Sequence, residues 1–441
     1  MKSEKLPQLM IDTFRSQYEK LAAGETGLIP ESEIKSVESL PDSDTLSAEF
    51  LETGKKALSK SVLIKLNGGL GTGMGLEKAK SLLKVKQGLT FLDIIARHAI
   101  QSGVPLVLMN SFSTREDSLA AISIYPELKK GKLPLDFLQH KAPKILSSDL
   151  SPAVWPANPE NEWYPPGHGD LYTALVTSGV LDGLLENGIE YAFVSNADNL
   201  GASLDTSILG YFVSKEFPFM MECADRTEAD KKGGHLAKRA ADGQLLLRES
   251  AQCPKEDEKA FQDVNKYRYF NTNNLWINLK SLKNLLDSYN GVIPLPIIRN
   301  GKTIDPRDSK SPAVYQLETA MGSAIAVFKG AAAIRVPRSR FAPVKANSDL
   351  LAVRSDAYVL TDDYRVTLNP LRKGKAVVVD LDSKFYKLID QMEERFPHGA
   401  PSLVDCDRLI VKGDVLFGRG VKISGDVTIE AGPDGQRVYS D

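Results

Sequence analysis

SVLIKLNGGLGTGMGLEKAKS, residues 61–81, is an apolar strand pattern that runs directly into five glycines, at positions 68, 69, 71, 73 and 75. Glycine has no Cβ, so the backbone N–H groups of such a loop can approach a polyphosphate closely. The spacing fits neither common glycine motif. A dinucleotide-binding turn would need glycine at Met74 or Leu76, and a P-loop would need Gly-Lys-Ser where Ala79-Lys80-Ser81 stands. A dehydrogenase and a P-loop ATPase are therefore disfavoured. The stretch reads as an anion loop followed by Lys78, Lys80 and Lys84, which can neutralise phosphate charge; a plain tight connection would be spelled similarly.

Outward from this loop, short apolar runs alternate with helical patterns: TFLDIIARHAIQSG at 90–103, VPLVLMN at 104–110, STREDSLAAISIY at 113–125, YAFVSN at 191–196, FPFMMECA at 217–224 and NLWINL at 274–279. Such alternation predicts an α/β fold with a mostly parallel mixed sheet flanked by helices. Thr90 opens a helix that carries Phe91, Leu92, Ile95, Ala96 and Ala99 on one stripe and stops at Gly103. Ser113 with Glu116 suggests a second helix start, of the capping-box type.

Residues 1–55, rich in Glu, Lys and Ser, read as an N-terminal helical segment with helices near Leu6–Ala22 and Thr45–Leu58. Residues 56–345 form the expected catalytic domain and 346–441 a C-terminal region. In that region Leu403, Leu409, Val415, Val421 and Val427 stand six apart, as do Val411, Phe417, Ile423 and Ile429, with Gly-Asp pairs at 413–414 and 425–426. A hexapeptide period reads as parallel β-helix coils over about 401–430. So short a stack cannot bury a core alone, so it should dock on the catalytic domain or on another copy of the chain; an antiparallel hairpin pair is the competing reading.

A chain of 441 residues suggests about two to three domains. With 55 basic and 57 acidic side chains the net charge is -2, so no overall positive field exists to hold a nucleic acid or an anionic membrane. Hydrophobic content of 42% and charged content of 25% fit an ordinary globular protein. Cys223, Cys253 and Cys406 are far apart and lack C-x-x-C spacing, which argues against a disulfide framework or a thiolate zinc site. MKSEKLPQLM has no long apolar run after its lysines, so a cytoplasmic location is expected.

Several other segments could carry chemistry. YAFVSNADNLG, 191–201, runs a strand into Asn196, Asp198 and Asn199, and a carboxylate at a strand's carboxyl end is a natural seat for Mg²⁺; an Asx turn has the same spelling. In EWYPPGHGDLY, 162–172, two prolines stiffen the approach to His168. Asn271, Asn273 and Asn274 could bind sugar hydroxyls, as could Gln316 and Glu318, although a helix start would explain the last two equally well. Arg338, Arg340 and Lys345, between Pro337 and Pro343, suggest a second cationic arm for phosphates or else a solvated basic loop.

Together, and in this order, LNGGLGTGMG, PLVLMNSF, WYPPGHGD, VSNADNLG, KGG at 232–234, FNTNNLW, QLETA and VPRSRFAPVK resemble the eukaryotic-type UTP:glucose-1-phosphate uridylyltransferases, or UDP-glucose pyrophosphorylases. The resemblance spans roughly residues 55–430 and implies a Rossmann-like nucleotidyltransferase domain with a C-terminal left-handed β-helix. It implies that UTP and glucose 1-phosphate are converted to UDP-glucose and pyrophosphate with Mg²⁺ on Asp198. Leu66, Asn67, Gly68 and Gly69 would line the nucleotide site, with Lys80 and Lys345 on the phosphates and Gln139 and Gly167 facing the uracil. Asn196, Ala197 and Asp198 would border the nucleotide. His168, with Gly68 and Gly69, would meet the sugar phosphate, and Asn273, Asn274, Leu275 and Glu318 the sugar. Competing readings are the same chemistry on another sugar 1-phosphate and a catalytically silent nucleotide-sugar subunit, with a homo-oligomer through the β-helix as a further expectation. One departure bears on Lys80: Lys78-Ala79 stand where eukaryotic members usually have Gly-Pro.

Overall fold

A computed structural model describes residues 1–129, 131–306, 308–432 and 435–440; of the C-terminal region, positions 433, 434 and 441 lie outside the described residues. The strand Ser61–Asn67 pairs in parallel with Leu106–Asn110 on one side and with Tyr191–Asn196 on the other. It is apolar because both of its faces are covered. Leu63, Leu106, Leu108 and Phe193 enter one core layer, while Val62, Ile64, Val107, Met109, Ala192 and Val194 enter the other.

These strands belong to a ten-stranded mixed sheet. Asp136–Leu138 extends it beyond Leu106–Asn110, and Tyr269–Asn278 lies antiparallel to Tyr191–Asn196 on the other side. Seven strands share the direction of Ser61–Asn67; Ile34–Ser36, Leu245–Arg248 and Tyr269–Asn278 oppose it. The chain leaves Ser61–Asn67 toward Leu106–Asn110 and later returns on its other flank as Tyr191–Asn196. The carboxyl ends of these two neighbours therefore diverge, and such a switch point is where open α/β sheets leave a crevice.

The first crossover helix, Phe91–Ser102, has Thr90 as N-cap, a capping box with Asp93, and Gly103 at φ 70 as its stop. Phe91, Leu92, Ile95, Ala96 and Ala99 are all buried, as their spacing predicts. The second start differs. Helix Arg115–Ile122 follows Thr114 and has no side-chain cap, so Ser113 and Glu116 form no capping box. The preceding turn is closed differently: the Ser111 N–H donates to Thr114 Oγ1 at 3.0 Å, and Ser111 Oγ donates to the Gly68 carbonyl at 2.9 Å. Gln316 and Glu318 lie on a strand, Ala313–Glu318, and not at a helix start.

The N-terminal residues are woven into the sheet. Helices Gln8–Ala22 and Ala48–Ala57 form as expected, but Ile34–Ser36 between them is a strand paired with Arg239–Ala237. In the C-terminal region, Val378–Leu381, Cys406–Lys412 and Gly425–Glu430 form a parallel ladder, and Val415–Phe417 pairs in parallel with Arg437–Tyr439. Leu403, Leu409, Val411, Val415, Phe417, Val421, Ile423 and Ile429 are buried, and their apolar cluster is continuous with Leu63 and Phe91 of the main sheet and its helix. Among the described residues no helix is long and apolar enough to cross a membrane.

Helix Ala48–Ala57 meets Thr206–Ser214 backbone to backbone. A Cβ at Gly54 would stand 1.8 Å from the Thr206 carbonyl oxygen, and one at Gly210 1.7 Å from that of Phe50. Gly210→Ala should therefore lower the unfolding free energy by about 1–3 kcal/mol through overpacking. Urea denaturation with an unchanged midpoint would contradict this contact.

Candidate functional site

Asn67 ends the central strand, and its amide donates to Asn110 Oδ1 at 2.7 Å and Ser118 Oγ at 2.8 Å, tying it to its neighbour. The glycine loop then turns. Gly71 and Gly75 take φ of 72 and 77, and a Cβ on Gly68 would stand 2.8 Å from Gln139 Oε1. The turn returns the chain so that the Lys80 N–H donates to the Gly69 carbonyl at 3.0 Å. Ala79 is 2% exposed with φ -51 and ψ 127. That is a proline-compatible conformation reached without the ring.

The second wall follows Tyr191–Asn196. The Ala197 N–H donates to the Leu66 carbonyl at 3.0 Å, fixing this strand end against the central strand. Asp198 then does three things. Its Oδ2 accepts from Lys80 Nζ at 2.9 Å, its carbonyl accepts the Val344 N–H at 3.0 Å, and its Oδ1 is buried without a hydrogen-bond partner. The Val344 bond brings in Lys345, which is exposed and has no ion-pair partner among the described residues. The Lys345 N–H donates to Asp349 Oδ2 at 2.7 Å, and burial raises the Asp349 carboxyl above its ordinary value.

The third wall is the loop around His168. A Cβ on Gly167, at φ 80, would stand 2.7 Å from the Thr319 carbonyl oxygen, and one on Gly169 would stand 2.2 Å from Thr319 Oγ1. Two glycines thus let the loop lie flat on the end of strand Ala313–Glu318. His168 Nδ1 accepts the Met321 N–H at 2.9 Å, so in the neutral ring the proton sits on Nε2. Burial, aided by the Lys345 charge, lowers His168 to about 4. Gln139 Nε2 donates to the Gly167 carbonyl at 3.2 Å. Next to these two residues, Asp170 accepts both the His140 N–H at 2.7 Å and the His140 ring Nδ1–H at 2.8 Å.

A cleft of about 310 Å³ brings together Leu66, Asn67, Gly68, Gly69, Lys80, Gln139, His168, Asn196, Ala197 and Asp198. Ser81 and Pro165 also line it, and motif reading had passed over both. Gly167 and Lys345 are not among the lining residues: Gly167 accepts from Gln139, and the Lys345 charge reaches His168. Asn273, at φ 57, exchanges hydrogen bonds with Asn271. Asn274 is fully buried and donates to Glu222 Oε2 at 2.9 Å, and Leu275 is fully buried in the core. Glu318 is half-buried with its carboxyl raised by burial, and its Cβ side packs against Gly167.

The proposed cationic arm requires correction. Arg338 grips Asp230 with two bonds of 2.8 Å. Arg340 is buried against the wholly buried Glu222, with bonds of 2.9 and 2.7 Å. A guanidinium held by a buried carboxylate is committed to the fold, which leaves Lys345 as the free cation of the three. Lys65, also unanticipated, is buried under the cleft, donates to Ser195 Oγ at 2.6 Å and the Ala202 carbonyl at 2.7 Å, and is lowered to about 7 by burial and by nearby Arg340. The signal for both was available: a lone charge inside an apolar strand, Lys65 in SVLIKLN and Glu222 in FPFMMECA.

A family model described as UTP–glucose-1-phosphate uridylyltransferase matches residues 11–424. The chain is 43% identical over 395 residues to the UTP–glucose-1-phosphate uridylyltransferase of Solanum tuberosum, covering 88% of this chain and 80% of that one. Against the Saccharomyces cerevisiae enzyme it is 43% identical over 389 residues, covering 86% and 76%. A crystal structure of a mutant UDP-glucose pyrophosphorylase from Leishmania major in complex with UDP-glucose superposes with a TM-score of 0.93 at 48% identity, covering 100% of this chain and 95% of that one.

The lowered His168 value has a sign that can be checked. A histidine depressed from its ordinary value near 6.5 stabilises the fold above that pH, and this stability is lost as pH falls toward about 4. NMR titration of the ligand-free protein should therefore find the His168 ring neutral at pH 6; a midpoint near 6.5 would contradict the geometry.

Proposed function

The chain belongs to the UTP–glucose-1-phosphate uridylyltransferase family, and we propose that its reaction takes place in the cleft between the glycine loop, Asp198 and His168. It is a nucleotidyltransferase that makes UDP-glucose and pyrophosphate from UTP and glucose 1-phosphate. The observation that carries the siting is the convergence on Asp198 of Lys80 from one strand end and the Val344–Lys345 segment from another part of the chain.

In the reaction a phosphate oxygen of glucose 1-phosphate forms a bond to the α-phosphorus of UTP, and the bond from that phosphorus to the β-phosphate oxygen breaks, releasing pyrophosphate. The attacking oxygen is already ionised at neutral pH, so no protein base is required. The catalytic work is to hold two polyanions in line and neutralise their charge. Gly68 and Gly69 offer backbone N–H groups, Lys80 and Lys345 offer charge, and neutral His168 offers Nε2–H to the sugar phosphate. Gln139 and Gly167 face the uracil, with Leu66, Asn67, Asn196 and Ala197 along the nucleotide. Asn273 and Glu318 turn toward the sugar; Asn274 and Leu275, whose side chains are buried, meet it through their main chain.

Mg²⁺ fits the site. Asp198 Oδ1 is a buried carboxylate oxygen with no partner, and it would hold an ion that takes a single protein carboxylate. When bound, it would supply charge neutralisation on the phosphates. We further assign residues 56–345 to the catalytic domain, 1–55 to an N-terminal helical segment and 346–441 to a C-terminal region. The parallel ladders and buried hexads near 401–430 support a left-handed β-helix, through which a homo-oligomer could form, and the setting is cytoplasmic.

Asp198→Ala and Lys345→Ala should each lower turnover by about 10²-fold or more, the scale of removing one preorganised charge stabiliser. Pyrophosphate release from UTP and glucose 1-phosphate measures it, and near-normal rates would remove those roles. Lys80→Ala should also weaken UTP binding by calorimetry.

A further inference from the structure

We propose that the Ser81 hydroxyl is a ligand of the β- and γ-phosphoryl oxygens of UTP, and hence of departing pyrophosphate; this rests on the siting of UTP in the cleft. Among the described residues, two buried side-chain atoms without a hydrogen-bond partner border that cleft, Asp198 Oδ1 and Ser81 Oγ. The first is explained by a cation. The second is a hydroxyl on a residue only 3% exposed, and a buried hydroxyl left unpaired destabilises the fold unless something else satisfies it. A serine in a turn usually returns its hydroxyl to a nearby carbonyl, and Ser81 does not.

Its location selects the ligand. Ser81 follows Lys80 directly in the short turn Lys80–Leu82, so a hydrogen-bond donor and an ammonium project from adjacent residues on one wall. That pairing suits a tetrahedral oxyanion better than a base or a sugar ring. Lys80 and Ser81 share one wall, with Lys80 bonded to Asp198, whereas His168 stands on a separate loop held by the Met321 N–H. An in-line displacement places the leaving group opposite the attacking phosphate. With the sugar phosphate at His168, the Lys80 and Ser81 wall receives the phosphates that depart.

Ser81→Ala and Ser81→Thr in the full-length protein test this by calorimetry with Mg-pyrophosphate, UTP and UDP-glucose, alongside thermal melts. Ser81→Ala should weaken pyrophosphate and UTP about tenfold or more while leaving UDP-glucose within about twofold, because UDP-glucose lacks the departing phosphates. Its melting midpoint should hold or rise, because an unpaired buried hydroxyl has been removed, and Ser81→Thr should restore pyrophosphate affinity. Unchanged pyrophosphate affinity would overturn the proposal. So would equal losses for pyrophosphate and UDP-glucose, or a lowered midpoint with all ligands weakened together. Wild-type protein that bound no UTP would instead overturn the siting on which the proposal rests.

Discussion

An ionised carboxylate in the floor of a cleft must be compensated, and the compensation of Asp198 organises the whole site. Its Oδ2 draws in Lys80, and with it the end of the glycine loop. Its carbonyl takes the Val344 N–H, and so sets the segment that carries Lys345. Two stretches far apart in the chain are thereby referenced to one residue just past the end of Tyr191–Asn196. The Ala197 to Leu66 bond references that strand end in turn to the central strand. The Lys80 ammonium is thus placed by a carboxylate before any phosphate arrives, which is the condition under which electrostatic stabilisation works without reorganisation, and the backbone of Lys345 is held by Asp349.

Beneath this lies a second, drier layer of charge. Glu222, with no exposed surface, accepts from Arg340, Asn274 and the Trp276 indole, the last at 3.0 Å. The Arg340 Nη2 also donates to the Ser203 carbonyl at 2.8 Å, and the Arg340 carbonyl accepts from Asn199 at 3.1 Å. A buried ion pair contributes little net stability by itself, yet it is costly to break because the survivor is left uncompensated. Here it locks the loop after Asp198 against the strand Phe219–Asp225 and the Arg338–Lys345 segment. Arg340 therefore acts on Lys345 by position, and a sequence reading that grouped the two by charge confused a support with the group it supports.

The central strand, its glycine loop and the crossover helix were legible because strong local signals agreed: apolar runs, Thr90 at the cap, Gly103 at the stop. Asp198 and Lys80 were legible because they follow a strand and a glycine turn at short range. What was hidden depended on contacts distant in the chain. Ile34–Ser36 is three residues at a sheet edge, too short for any period to register. The faces of Asn274 and Leu275 could not be counted by alternation, because the register shifts opposite Glu222 and Cys223 and Asn273 takes φ 57. A bulge reverses the parity on which such counting relies. Ala79 shows the converse: without a proline ring, a buried alanine still takes φ -51 and ψ 127, a shape that proline would also adopt.

The protonation state of His168 completes the electrostatic logic. With Lys80 and Lys345 already present, a third fixed cation would grip the anionic substrate and product about as firmly as the transition state, and uniform binding of that kind raises affinity without raising turnover. The fold prevents it in two ways. The Met321 N–H occupies Nδ1, so that nitrogen cannot carry a proton without breaking a backbone contact, and burial beside Lys345 disfavours the imidazolium. What remains is a directional Nε2–H donor with no net charge. It can direct an N–H to an oxyanion in the cleft while adding no charge to that of Lys80 and Lys345.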